Sequence, residues 1–197
     1  MAKAQPIRDK TKIQELVKIL EKDTSDIGKK RYLLFMTGIY TGRRISDIVR
    51  LRVGDVRGRE SIILVEKKTQ KETEIFLPDK LQQAYKTMLA GMGENDYVFS
   101  SDKTGRISHE PKHITTRTAY NYMKAIEEAG RMGGTDTHIS THTMRKTFGY
   151  HYYKMTKDIA TLMGLFNHSS AATTLIYIGI ASDEKKIAAK RINRMYD

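Results

Sequence analysis

Residues 141–178 read THTMRKTFGYHYYKMTKDIATLMGLFNHSSAATTLIYI. The stretch breaks into consecutive short helices. Thr141 to Lys154 is predicted helical, with Ser140 or Thr141 as its cap. From Thr156 onward, Ile159, Leu162, Met163 and Phe166 fall at i, i+3, i+4 and i+7, which is one apolar stripe. Ser169 or Ser170 can cap a further helix that carries Thr173 to Tyr177. Short helices joined by polar turns predict an α-rich half.

The flanking sequence keeps that class and adds a small sheet. Downstream, Asp183 to Met195 is predicted as a basic helix, with Ser182 as cap and Asp183 and Glu184 in its first turn. Its apolar stripe of Ile187, Ala188, Ile192 and Met195 is too sparse for deep burial. Upstream, Thr115 to Ala129 reads as a helix that ends near Gly130, and Asp79 to Met92 as one started by Pro78-Asp79. Tyr97-Val-Phe99 suits either a buried strand or a core run. Ser61–Val65 is β-rich, and Thr73, Ile75 and Leu77 alternate with Glu72, Glu74 and Phe76. With Lys67–Lys71 between them, these runs predict an antiparallel hairpin. At the start, Ile13, Leu16, Val17 and Leu20 line a helix over Thr11–Lys22. A second helix spans about Asp26–Tyr40, Thr41-Gly42 breaks it, and a short one covers about Ile45–Leu51. The expected architecture is α+β, mainly α, as a single domain over 1–197. Residues 1–10 form a lead segment and 182–197 a tail helix.

Composition removes several function classes. The 197 residues contain no cysteine, which excludes disulfide frameworks, thiolate metal sites and cysteine nucleophiles. No run of eighteen apolar residues can span a membrane, and the first residues lack a signal-peptide pattern, so cytoplasm is the expected location. The formal net charge is +12. Residues 1–60 alone carry 15 basic and 8 acidic side chains, and such an excess favours a polyanion, most often nucleic acid.

Four local patterns carry chemistry. His142 and Arg145, three apart on a helix, project together and could clamp an anion, though two surface residues sharing a face would look the same. Thr41-Gly-Arg-Arg-Ile-Ser-Asp47 puts two arginines where Gly42 lets helices approach closely. That suits a phosphate site, and equally a loop with two solvated arginines. Asn167-His168-Ser-Ser170 places an imidazole beside a helix cap. Tyr177 lies among aliphatics, where a tyrosine usually packs in the core.

As an ordered set, these patterns resemble the catalytic domain of the tyrosine recombinase (phage integrase) family. The family pattern runs Thr-Gly-Leu-Arg-Ile-Ser-Glu, a hairpin Lys-Thr, His-x-Leu-Arg, Gly-His-Ser-Ser, and then a tyrosine. Here Tyr177 follows His168 by nine residues, as in the family, and the likeness runs from about residue 10 to 190. The resemblance implies a helical catalytic domain that cleaves and rejoins double-stranded DNA through a 3′-phosphotyrosine. Carried over by position, Arg44 and Arg145 would stabilise the phosphate, aided by His168. Tyr177 would be the nucleophile, His142 its base candidate, Lys68 the general acid and Asp47 a supporting carboxylate. Lys67 and Lys71 fit less well than Lys68.

No cofactor or metal is implied, because arginines do the work of a metal. Arg43 stands where Leu is usual, Met144 replaces Leu, Asn167 replaces Gly, and Lys146 stands where His is frequent. Only about ten residues precede the first predicted helix, so the family's N-terminal core-binding domain is expected to be absent. Self-association on DNA, as dimer or tetramer, is implied through a tail that packs on its own domain when free and exchanges between subunits on DNA. A terminal helix that only covers its own core is the plainer reading of that tail. Two other functions stay open: a relative that holds DNA without cutting it, and a type IB topoisomerase-like strand relaxer.

Overall fold

The helices begin where the chain supplies a short polar side chain. In the computed structural model, which describes residues 4–65, 72–101, 111–134 and 138–193, Asp9 caps α1 (Lys10–Glu21) through the Thr11 N–H. Ser25 caps α2 (Asp26–Thr41) through the Gly28 N–H. The very short α3 (Ile45–Ile48) and α4 (Val53–Val56) follow. The second of these is absent from the sequence reading; its Asp55 carboxylate accepts from the Arg52 N–H at 2.7 Å. Strands β1 (Ser61–Val65) and β2 (Glu72–Phe76) pair antiparallel, with Ser61 opposite Phe76 and Ile62 opposite Ile75. Ile62, Leu64 and Ile75 turn to the core, while Ile63, Val65 and Phe76 face solvent. Then comes α5 (Asp79–Met88), shorter than expected because Leu89 closes it and Gly91 turns at φ +82°.

The second half is helical, as predicted, with shifted boundaries. Thr115 caps α6 (Thr116–Met132), which runs through Gly130 to end at Gly133. Ser140 caps α7 (Thr141–Thr156), and Thr143 returns a side-chain bond to the Ser140 N–H. Thr156 ends α7 rather than starting the next helix. Lys157 takes the left-handed conformation at φ 57°, and Asp158 caps α8 (Ile159–Phe166). Ser170 caps α9 (Ala171–Ile178). Gly179, at φ +87°, reverses the chain in one residue, so α10 (Ile180–Asn193) begins at once and Ser182 is not its cap. Tyr97–Phe99 is a core run: Val98 and Phe99 are buried, with one isolated bridge from Tyr97 to Arg52.

Helix α2 is the centre. It buries an unbroken run from Tyr32 to Gly38, and α1, α5, α6 and α7 pack around it. The buried Tyr85 hydroxyl shares a 2.6 Å hydrogen bond with Thr37 and so fixes α5 to α2. A second cluster of Tyr150, Leu162, Phe166, Ile178 and Ile180 joins α7 to α8, α9 and α10. Gly149 permits that junction, because a Cβ there would lie 2.7 Å from Ile178 and 2.8 Å from Phe166. The lead segment lies along α7: the Ile7 N–H donates to Thr147 Oγ1 at 2.9 Å and His151 Nε2 donates to the Ile7 carbonyl at 2.8 Å. Residues 184–192 of α10 are all exposed, while Ile180 at its start is buried, in keeping with a stripe too sparse for deep burial.

The α2–α7 contact depends on two glycines. A Cβ on Gly38 would lie 2.8 Å from the Met144 Cβ, and one on Gly42 would lie 2.3 Å from the Phe148 ring. Gly42 also sits at φ +63°, which side chains resist. Gly42→Ala should therefore destabilise by about 3 kcal/mol, combining strain with overpacking. Gly58→Ala, at φ +70° with open space around it, should cost about 1 kcal/mol. Urea unfolding of the two variants checks the difference; equal losses would mean that the helix contact tolerates a methyl group.

Candidate active site

The close approach of α2 and α7 delivers two arginines to one place. Gly42 ends α2 in the left-handed conformation, and the chain then enters α3 with Arg44 at its N-cap. From α7, Arg145 reaches back across the contact. Its Nη1 donates to the Gly42 carbonyl at 2.6 Å and its Nη2 to the Phe166 carbonyl at 2.9 Å. These carbonyls end α2 and α8, where helix carbonyls lack partners within the helix and the dipole favours a cation. The guanidinium lies 4.0 Å above the Phe166 ring, and the residue is only 3% exposed. Five N–H groups exceed what two carbonyls take up, so the fork also serves the hydroxyl of Tyr177.

Tyr177 reaches the same spot from α9. Its hydroxyl lies 3.4 Å from Nδ1 of His142, which stands in the first turn of α7, one turn before Arg145. The His168 ring meets the Tyr177 ring edge to face at 5.4 Å. Thr174 is buried and donates its single hydroxyl proton to the Ser170 carbonyl at 2.8 Å. It therefore accepts from His168 Nδ1, 3.0 Å away, which fixes the imidazole's orientation. His168 is presented by a tight turn after α8: Asn167 sits at φ 51°, and the His168 N–H donates to the Met163 carbonyl at 2.9 Å. Asparagine is among the few residues with a side chain that tolerate this conformation, so Asn167 keeps the turn that a glycine would make.

The structure thus brings together Arg44, His142, Arg145, His168 and Tyr177. Asp47 is buried in α3, one turn beyond Arg44. Arg43 is 1% exposed, which removes the reading of two solvated arginines: the position where Leu is usual faces inward, and arginine occupies it. Lys68, with Lys67 and Lys71, lies outside the described residues. Sequence reasoning missed Phe166 as the plate beneath Arg145 and Thr174 as the partner of His168. Each was visible only as part of a helical pattern.

Electrostatics divide the two reacting candidates. Burial raises the Tyr177 hydroxyl above its ordinary value, while the charge and hydrogen bond of Arg145 and the charge of Arg44 pull it back. His142 is lowered, first by desolvation and then by the charges of Lys146, Arg145 and Arg44. A neutral imidazole beside a phenol hydroxyl can accept its proton, and the surrounding cations can hold an anion.

Residues 8–184 match the family model described as "Phage integrase family". The chain is 40% identical over 186 residues to the probable integrase/recombinase YoeC of Bacillus subtilis strain 168, covering 94% of this chain and 95% of that one. It is 28% identical to the tyrosine recombinase XerD of Corynebacterium glutamicum over 73% of this chain, but over only 46% of the relative. Among solved structures, the XerH site-specific recombinase bound to palindromic difH substrate superposes with a TM-score of 0.69 at 16% identity, covering 95% of this chain and 53% of that one. The catalytic domain of bacteriophage HP1 integrase gives 0.55 at 18% identity, covering 95% of each. The chain therefore spans about half the length of XerD and XerH and nearly all of YoeC and the HP1 domain.

One property of the site can be measured without any substrate. Because three cations and desolvation all oppose its protonation, His142 should titrate below its ordinary 6.5. NMR titration of the histidine ring protons, assigned with His142→Asn, reads the value; a midpoint at or above 6.5 would contradict the geometry.

Proposed function

The chain belongs to the phage integrase family, and we propose that it is a site-specific DNA recombinase that breaks and rejoins strands through a covalent bond to Tyr177. The observation that carries this reading is the convergence of the Tyr177 hydroxyl on His142 Nδ1, at 3.4 Å, beside the buried fork of Arg145. The Tyr177 oxygen attacks the scissile phosphorus as His142 accepts its proton. Arg44 and Arg145, with His168, stabilise the charge gathering on the non-bridging oxygens. The bond to the 5′-oxygen breaks, and Lys68 protonates that leaving group. Asp47 supports the arginine that precedes it on α3. The phosphotyrosine conserves the phosphodiester's energy, so a second 5′-hydroxyl can reverse the step without ATP.

Double-stranded DNA is the proposed partner. The +12 charge supports it, as do the DNA-bound structures of XerH and of other recombinases that share the fold. A cytoplasmic location follows from that partner, and no helix among the described residues is long and apolar enough to cross a membrane. Self-association on DNA is proposed through α10, where Ile187 and Ile192 are exposed.

A nicked suicide substrate tests the chemistry. The parent protein should give a denaturation-resistant protein–DNA adduct in excess EDTA, and Tyr177→Phe should bind DNA but give none. Arg44→Ala and Arg145→Ala should each lose about 10²–10³ in cleavage rate, and Arg→Lys should not restore it, because a point charge lacks the two-pronged donor. An adduct with Tyr177→Phe, or a requirement for divalent metal, would overturn the mechanism. Supercoil relaxation without exchange between paired sites would make the protein a strand relaxer instead.

A further inference from the structure

The nucleophile candidate has a neighbour that the chemistry above leaves unused. Lys146 follows Arg145 on α7 and is only 6% exposed. Its Nζ lies over the Tyr177 ring, 4.9 Å from the centroid, and donates to the Ala4 carbonyl at 2.9 Å. A buried ammonium is stable only with acceptors around it. Here one acceptor is a ring face and another belongs to the lead segment.

The lead segment is itself fastened on both sides of Tyr177. Besides its bonds to Thr147 and His151 of α7, it places Arg8 Nε against both oxygens of Asp183 on α10, at 3.0 and 3.1 Å. The Arg8 guanidinium also lies 5.5 Å from the Tyr150 ring centroid. At the turn after Tyr177, a Cβ on Gly179 would lie 2.9 Å from Arg8 Nη2 and 3.4 Å from Pro6. The chain from Ala4 to Arg8 thus braces the turn between α9 and α10 and anchors the ammonium that sits on the tyrosine.

Resting on the reading of Tyr177 as nucleophile, we propose that Lys146 is a positioning residue that holds the Tyr177 ring by its face and ties the ring's placement to the docking of the lead segment. The ammonium stands over the ring rather than on the hydroxyl, so it orients the phenol and takes no proton from it. One Nζ serves both the ring and the Ala4 carbonyl. If the lead segment undocks, Nζ loses that acceptor and is drawn towards water, and the ring loses its support. The same charge faces His142, together with Arg145 on α7, Arg44 at the start of α3 and the Tyr177 hydroxyl on α9.

The test uses the full chain with the nicked substrate at saturating concentration. Lys146→Met should slow adduct formation by about tenfold, with circular dichroism and non-covalent DNA affinity unchanged. Lys146→Arg, which keeps a cation over the ring, should recover most of the rate. With one cation removed, His142 should hold its proton more tightly, so the acid limb of the rate profile should move to higher pH in Lys146→Met. Arg8→Gln, which loosens the lead segment, should also slow the step and add nothing when combined with Lys146→Met. Should Lys146→Met fail to fold, Lys146→Gln carries the same readings. A parental rate with an unmoved acid limb, or a rate that falls only with the folded fraction, would overturn the proposal. If the parent forms no adduct, or Tyr177→Phe forms one, the assignment of the nucleophile fails instead.

Discussion

The guanidinium of Arg145 is the fastening on which the site depends. It is a buried cation that bridges the final carbonyls of α2 and α8 while lying flat on the Phe166 ring. Only a planar, permanently charged fork meets two carbonyls and a ring face at once; a lysine offers one point of charge at the end of a flexible stem. Taking away such a group leaves two helix-end carbonyls without their donor, and each buried polar group so deprived typically costs about 1–3 kcal/mol. The neighbouring features follow from this one. Gly38 and Gly42 bring α2 close enough to offer its carbonyl. Phe166 supplies the plate, and Asn167 turns the chain so that His168 and then α9 return over it. The residue proposed to hold the phosphate thus also assembles the surroundings that aim the tyrosine.

Much of this was legible because it is local. The interval of nine residues from His168 to Tyr177 matches the family pattern, and one turn plus two turns of helix fill it in a fold that brings the two rings to 5.4 Å. The three-residue spacing of His142 and Arg145 fixes one helical face. Capping serines placed the starts of α7 and α9, and Asn167 carries its own reason for standing where glycine is usual. Boundaries slipped where a nearby residue offered a stronger signal: Asp158 outcompeted Thr156, and the left-handed Gly179 started α10 before Ser182 was reached.

What stayed hidden is tertiary. Nothing near Lys146 announces that its ammonium meets a carbonyl 142 residues away. Nothing near Asp183 says that Arg8, 175 residues distant, takes up its carboxylate, and as a first-turn acid it read as a helix-start signal. Arg43 illustrates the same limit. Its sequence neighbours suit a solvated loop, yet it is buried. Patterns at helical spacing report which face is apolar; they do not report which distant chain will lie on it.

The electrostatics of the site suit an anion. Without one, burial holds the Tyr177 proton on, and burial followed by the charges of Lys146, Arg145 and Arg44 keeps a proton off His142. Both effects maintain a neutral phenol beside a neutral base. A phosphodiester placed among the cations would offset part of their field. That makes an imidazolium easier to form at His142, the direction needed as the tyrosine gives up its proton to attack. In the proposed reaction the negative charge then grows on the phosphate oxygens, close to the charges of Arg44 and Arg145. In the proposed reaction, therefore, the base strengthens when substrate arrives. A site with cations this close together would disfavour proton transfer while empty and favour it once a phosphate is bound.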